Sequence, residues 1–352
     1  MESDLRTFVV MTLIKWSRFP LVAGDEYARR WLQFTANIGR AANTVDAYGR
    51  AVEDHLRFCQ LAGAQPVTLR ADVVAAWIAD MDQRPLPSRD DAVVEIGLSN
   101  ATIQQRVVAV RSFYDYLVED GLRERNPVRR GQSGRRGQRP QQGLKRRVVN
   151  APWIPNENAW ARVLAAAVDE PLHNRLMLAL AYDGALRREE LVSLDVDDLE
   201  PAWSLVHLRA ETTKSQRARE VTFGAATGQL LVAYLRQRRQ AFGRIDGALL
   251  RSVSRRNHGE PLGPSSWSKI VTRLGKRAEV PQLAPHTFRH LRLTHMARAG
   301  FELLEIARYA GHRQLETTMV YIHLSGRELG EKFARNMRIM DEQLRQIAET
   351  LA

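Results

Sequence analysis

The chain has 352 residues and a formal charge of +12, with 52 Lys and Arg against 40 Asp and Glu. Six lysines leave 46 of those basic residues as arginine, so the surface attracts polyanions, nucleic acid before anionic membrane, even though a GC-rich genome alone raises arginine content. A single cysteine, Cys59, excludes an internal disulfide and any multi-cysteine metal site, and the N-terminal apolar run Phe8–Ile14 is too short to span a bilayer and lacks a cleavage-site pattern.

The length suits two domains, and the expected location is cytoplasmic, with no membrane contact. Residues 1–24 form an N-terminal extension, and 25–127 read as a helical domain. Asn43-Thr-Val-Asp46 offers an N-cap with an acid three residues on. From there Val45, Tyr48, Val52, Leu56 and Cys59 keep helical spacing up to Gly63. A shorter helix covers Asp72 to Met81, and Arg84 to Leu98, with Pro85, Pro87 and Asp90-Asp91, reads as a loop or insertion. Ser99-Asn100 opens a further helix through Ile103, Val107, Val110 and Phe113-Tyr114, which stops at Gly121.

Residues 128–151 read as a basic linker. Arg129, Arg130, Arg135, Arg136, Arg139, Lys145, Arg146 and Arg147 fall there with no acid among them and Gly, Gln, Ser and Pro between. Such a composition cannot bury a core. Either it is a solvated hinge or it lies along DNA, and its place between two basic units favours DNA.

A second domain covers 152–325. Helical patterns fall at 157–168, 172–182, 227–241, 265–278, 286–299 and 302–310, and Ser204–Leu208 with Arg219–Phe223 reads as a β-hairpin. The fold class is thus mainly α with a small antiparallel sheet. In the tail, 326–352, Leu329, Phe333, Met337, Met340, Leu344, Ile347 and Leu351 recur at alternating steps of four and three, an amphipathic stripe.

The chemistry concentrates between His286 and Tyr321. His286-Thr-Phe-Arg289-His290 is followed by Gly311-His312 and then by Tyr321, nine residues past that histidine. A phenol, with a pKa of about 10, is a poor proton carrier at neutral pH. Among cationic groups it suits a covalent nucleophile. A phosphodiester is the matching electrophile, since its non-bridging oxygens fit an arginine fork. His286 and His290, four apart, could instead share a metal on one helix face, but no third ligand has clear spacing and no metal is expected. Upstream, Arg187 enters a helix with Glu190, and Lys214 sits in the hairpin turn; taken alone, both are ordinary surface charges.

In order, Leu186-Arg187 with Glu190-Leu191, Lys214, Pro285-His286 through Arg289-His290, Gly311-His312, Thr317-Thr318 and Tyr321 resemble the pattern of tyrosine recombinases, the family of phage integrases and Xer-type resolvases. Asn43-Thr44, Arg111-Ser-Phe-Tyr114 and Asn126-Pro127 resemble that family's helical core-binding unit, so the likeness covers most of the chain. Two positions depart: Ala185 stands for the usual glycine and Ala310 for leucine, changes expected to alter packing rather than chemistry.

The resemblance implies a C-shaped clamp on double-stranded DNA recombination sites and a homo-tetramer on synapsed DNA, with accessory recombinases or directionality factors as further partners. It implies no cofactor and no ATP. Tyr321 would attack phosphorus and leave a 3′-phosphotyrosine, Arg187, Arg289 and His312 would hold the non-bridging oxygens, and Lys214 would protonate the leaving 5′-oxygen. His286 would handle the phenol proton, while Glu190 and His290 support from behind. Asn43, Thr44, Arg111 and the linker bases are the expected DNA contacts, and the tail stripe either packs on its own domain or is exchanged between copies. His295 and His323 take no role. The short segment before residue 25 suggests a simple transposon- or Xer-like enzyme. A type IB topoisomerase or a non-catalytic site-binding regulator are the rival readings.

Overall fold

The computed structural model describes residues 14–85, 96–128, 151–243 and 246–324. The linker arginines and Lys145, the tail stripe and most of the Phe8–Ile14 run lie outside these residues. The chain divides between Asn150 and Ala151 into two compact units.

The first unit holds α1 (Pro20–Gly24), α2 (Glu26–Asn37), α3 (Ala42–Leu61), α4 (Ala71–Gln83) and α5 (Asn100–Glu119). Asp25 caps α2, its carboxylate accepting the Ala28 amide at 2.8 Å, and Ser99 caps α5 through the Thr102 amide at 3.2 Å. The cap expected at Asn43 falls elsewhere. Helix α3 starts one residue earlier, at Ala42, with Ala41 as an N-cap that offers no side-chain bond. Asn43 therefore lies exposed in the first turn, with Thr44 beside it half-buried. Arg111 is half-buried on α5, and its carbonyl accepts from Asn126 at 2.9 Å.

Helices α3 and α5 face each other across the core, where Trp31, Trp77, Phe113 and Tyr114 are fully covered. Gly49 lets α3 approach closely, because a Cβ there would sit 2.9 Å from the Phe19 ring. Buried Glu53 accepts the Leu21 and Val22 amides at 2.9 and 3.0 Å, placing a carboxylate at the N-terminus of α1. The two ends of the expected 84–98 insertion meet, Pro85 bridging Ile96, while Arg84 ion-pairs with Asp54 and Asp80.

His55 is fully buried in this core, its Nε2 2.8 Å from the Tyr114 hydroxyl and its ring edge-on to Trp77. Burial drives its pKa down to about 4 against 6.5 in an open chain. The unfolded chain thus binds the extra proton between those values, so stability falls as pH drops from 6.5 towards 4. The expected loss is about 3 kcal/mol at most. Urea unfolding at pH 7.5 and pH 5, read by tryptophan fluorescence, should show it, and His55→Gln should remove that part of the pH dependence.

The second unit comprises α6 (Glu157–Val168), α7 (Leu172–Asp183), α8 (Arg188–Val192), β1 (Leu199–Glu200), β2 (Leu205–Leu208), β3 (Arg219–Thr222), α9 (Ala225–Phe242), α10 (Pro264–Arg277), α11 (Pro285–Arg298), α12 (Leu303–Ala310) and α13 (Glu316–Leu324). The expected hairpin is present, with Val206 opposite Val221 and His207 opposite Glu220. A short third strand, β1, pairs antiparallel with β2. Its two residues carry no periodic signal in sequence.

Helix α7 is central and apolar. Leu176, Met177 and Leu180 meet Val206 and Val221 of the sheet, Leu231 of α9, Trp267 and Val271 of α10 and Phe288 of α11 in one buried cluster. Asp183, closing α7, accepts from the Gly224 amide at 2.8 Å and the Thr227 hydroxyl at 2.6 Å, which anchors the start of α9. A smaller buried cluster joins Leu293 and Met296 of α11, Ile306 and Ala310 of α12 and Tyr321 of α13 to Ala185. The site lies over this second cluster.

Candidate active site

Four segments supply the site: the turn from α7 into α8, the start of β3, α11, and α12 through α13. Arg187 precedes α8, where its amide and its Nη1 donate to Glu190 at 2.8 and 2.7 Å. Its Nη2 reaches the Gly311 carbonyl at 3.3 Å. Arg289, on the buried side of α11, donates to the Ala185 carbonyl at 2.7 Å, the Ala310 carbonyl at 2.6 Å and His312 Nε2 at 3.0 Å. Two arginines, Glu190 and His312 therefore converge on the turns at Ala185 and Gly311.

Both turns need unusual backbone. Gly311 ends α12 in the left-handed region at φ 64°, and a Cβ there would stand 3.0 Å from Arg219. Ala185 also adopts positive φ, 47°, which explains why glycine is usual at that place. The substitution was expected to alter packing. It also strains the backbone by roughly 1 kcal/mol, at a residue whose carbonyl orients Arg289.

The Tyr321 hydroxyl lies 2.8 Å from His290 Nδ1. Sequence reading assigned that proton to His286 and left His290 a supporting part. The hydrogen bond runs to His290 instead, while His286 stands exposed with its ring 6.1 Å from that of His290. The two share a helix face, four residues apart, and only the fold decides which one meets a residue on α13. The His312 ring stacks parallel to the Tyr321 ring at 6.1 Å on another side.

Protonation follows from this packing. Burial, then His286 and Arg289, lower the His290 pKa to about 4, so at neutral pH the ring is uncharged and its Nδ1 is available to the phenol O–H. Burial, then Arg289 and Arg187, bring His312 to about 3. Arg289 fills its Nε2, so the neutral ring carries its proton on Nδ1, facing the buried Thr318 hydroxyl at 2.8 Å. Partial enclosure and then Arg289 lower His286 as well. Burial raises the Tyr321 phenol despite Arg289 and Arg187, and Arg289 itself drops to about 9, still charged at neutral pH.

Glu190 is the negative centre, 1 % exposed. Burial pushes its carboxyl up, but the hydrogen bonds and charge of Arg219, then those of Arg187, outweigh this and hold it at about 2. Arg219 grips both its oxygens at 3.0 and 2.8 Å and donates Nε to the Tyr309 carbonyl at 2.9 Å. Arg219 thus faces inward and ties β3 to α8 and α12. Thr318, quoted only as part of a motif, fixes the His312 tautomer. Lys214 is exposed in the β2–β3 turn. His295 bonds Tyr182 at 2.7 Å, away from the tyrosine cluster, and the His323 side chain lies outside the described residues. Among the described residues no group of three or more His, Cys, Asp or Glu could hold a metal, and no helix is long and apolar enough to cross a membrane.

Single-residue replacements separate the two histidines. With His290 as the partner of the phenol, His290→Ala is expected to slow any reaction of Tyr321 by about 10²-fold or more, the usual range for losing an acid–base partner. His286→Ala should cost less. Single-turnover rates rank them, and the reverse order would give that part to His286.

A buried tyrosine beside His290 and His312, with Arg187 and Arg289 close by, on a helical domain with a small hairpin, is the arrangement of a class of enzymes that recombine DNA. Residues 156–328 match the phage integrase family, and residues 29–121 match the phage integrase N-terminal SAM-like domain. The tyrosine recombinase XerC of Pelotomaculum thermopropionicum is 30 % identical over 249 residues, 68 % of this chain and 76 % of the relative. Among solved structures, the XerH site-specific recombinase bound to its difH substrate after cleavage superposes with a TM-score of 0.60 at 15 % identity, covering 88 % of this chain and 84 % of that one. The Tn1549 transposon integrase with transposon right-end DNA gives 0.63 at 14 %, covering 88 % and 99 %. The chain belongs to the tyrosine recombinase, or phage integrase, family, whose enzymes cleave and rejoin DNA in site-specific recombination.

Proposed function

We propose that this recombinase works through a 3′-phosphotyrosyl intermediate on Tyr321, without metal or ATP, to integrate, excise or transpose a mobile element. The observation that carries the reading is the phenol hydrogen-bonded to a neutral imidazole beside Arg289, His312 and Arg187. Tyr321 attacks phosphorus as His290 accepts its proton. Arg187 and Arg289 stabilise the charge that grows on the non-bridging oxygens. A phosphodiester also adds negative charge beside His312, which raises its pKa and lets it donate to the same oxygens. Lys214 supplies the leaving 5′-oxygen with a proton. The phosphotyrosine conserves the exchanged bond, so the second transesterification needs no external energy source.

The chain acts as a tetramer on two synapsed sites in this reading. An apolar groove of about 360 Å³ lined by Trp160, Leu164, Val168, Tyr182 and Phe288 offers an acceptor for the Leu329–Leu351 stripe of a neighbouring copy. Asn43, Thr44, Arg111 and the linker bases carry DNA contacts, and log affinity should fall with log salt at about −0.9 per phosphate neutralised.

The test is covalent capture. Purified protein is mixed with nicked duplexes of random sequence, and adducts that survive detergent are sequenced. Enrichment of one sequence class supports the reading. Adducts without sequence preference mean a relaxing topoisomerase, and no adduct at all means a non-catalytic binder.

A further inference from the structure

The turn carrying Lys214 is closed on itself and fastened at one point. Buried Thr213 accepts the Arg217 amide at 3.1 Å and lies 3.0 Å from the Arg217 carbonyl, so Lys214, Ser215 and Gln216 form a small shaped loop. Gln216 takes a left-handed φ of 51° to complete it. Lys214 is exposed on this loop, whereas Ser215, the next residue, is buried. The Ser215 carbonyl accepts two hydrogen bonds from Arg313, from Nε at 3.2 Å and Nη2 at 2.6 Å. Arg313 directly follows His312, whose ring is locked between Arg289 and Thr318. One guanidinium thus spans the gap between the loop of the proposed acid and the loop of a phosphate-binding histidine.

A carbonyl gripped by a planar fork is held in direction as well as distance. The Lys214 stem is long and flexible, so its aim depends on how firmly its backbone is fixed.

We propose that Arg313 is the positioning residue for Lys214, holding its turn so that the ammonium meets the leaving 5′-oxygen. This rests on the reading of Lys214 as the general acid. In that step the Tyr321 Oη–P bond forms and the P–O5′ bond breaks, its electron pair going to O5′. The phenol proton passes to His290, and one Lys214 N–H proton passes to O5′, leaving a neutral amine. Arg313 exchanges no proton and touches no reacting atom.

The experiment uses the full chain and the captured duplex, synthesised with oxygen or with sulfur at the 5′-bridging position of the scissile phosphate. A thiolate is a far weaker base than an alkoxide and leaves without protonation. Loss of the acid is therefore masked with sulfur and exposed with oxygen. Lys214→Ala is expected to slow cleavage of the oxygen duplex by about 10²-fold or more and to recover to within a few-fold on the sulfur duplex. Arg313→Ala should slow the oxygen duplex by about tenfold to a hundredfold, the cost of misplacing a reacting group. It should recover likewise with sulfur, with affinity for the intact duplex and its salt slope unchanged. Arg313→Lys, which keeps a donor for the carbonyl, should fall between and serves if the alanine chain does not fold.

A rescued Lys214→Ala beside Arg313 variants that stay slow with sulfur would overturn the role of Arg313 alone. So would a loss of affinity with a shallower salt slope, which marks a direct phosphate contact. An unrescued Lys214→Ala would instead remove Lys214 as the acid, and the proposal with it.

Discussion

Tyr321→Phe is expected to abolish the covalent protein–DNA adduct while the chain still folds and still binds DNA. The change removes one oxygen from a ring packed in the cluster with Leu293, Met296 and Ile306. Its structural cost is one hydrogen bond to His290, about 1 kcal/mol. Its chemical cost, in the proposed mechanism, is the nucleophile itself. Loss of the attacking atom would then lower cleavage by at least about 10⁴-fold, the scale found when a covalent catalytic group is deleted. A labelled captured duplex run on a denaturing gel gives the result directly, and electrophoretic retardation checks binding on the same sample. An adduct surviving in Tyr321→Phe would mean that another side chain attacks phosphorus.

The second large effect is expected at a fully buried residue, Glu190. Glu190→Ala takes away the carboxylate that Arg187 and Arg219 share and leaves two guanidiniums in a largely buried space with only carbonyl partners. Breaking a buried pair from one side costs about 3–5 kcal/mol. Arg187 also loses the bonds that fix its backbone and its fork, so cleavage should drop even where the variant remains folded. Urea titration measures the first effect and single-turnover cleavage the second.

Glu190 also sets an acid limit. Its folded pKa of about 2 lies below the open-chain value of 4.5. The stability it contributes is thus complete above 4.5 and is lost as pH falls from there towards 2. Glu190→Gln tests charge against shape: it should retain the packing, lose the acid dependence and recover only part of the stability. If Glu190→Ala changed neither stability nor rate, the pairing drawn for Arg187 and Arg219 would be wrong.

These residues also mark what sequence can carry. Helix boundaries at Ser99, Gly121 and Gly311 were legible, because caps and left-handed stops act within a few residues. Arg187, Arg289, His312 and Tyr321 were legible as a spaced pattern, and they do meet. The roles of Arg219, Arg313 and Thr318 were not. Arg219 finds Tyr309 ninety residues away and Arg313 finds Ser215 ninety-eight away, distances that only the packing of β3 against α12 can close. Asn43 misled for the opposite reason: a good cap type stood two residues past the actual N-cap, Ala41, which offers no side-chain bond. The choice between His290 and His286 likewise waited on where α13 lies.

The burial of Tyr321, 3 % exposed, has a bearing on life among other DNA. A protein of charge +12 spends much of its time on sequences that are not its target. In this state its proposed nucleophile is buried, and the guanidinium of Arg289 is occupied by carbonyls of its own chain. In the proposed mechanism a phosphate reaches that oxygen only when α13 or the ring shifts, so a mutant with a loosened α13 is expected to cleave faster and with less regard to sequence.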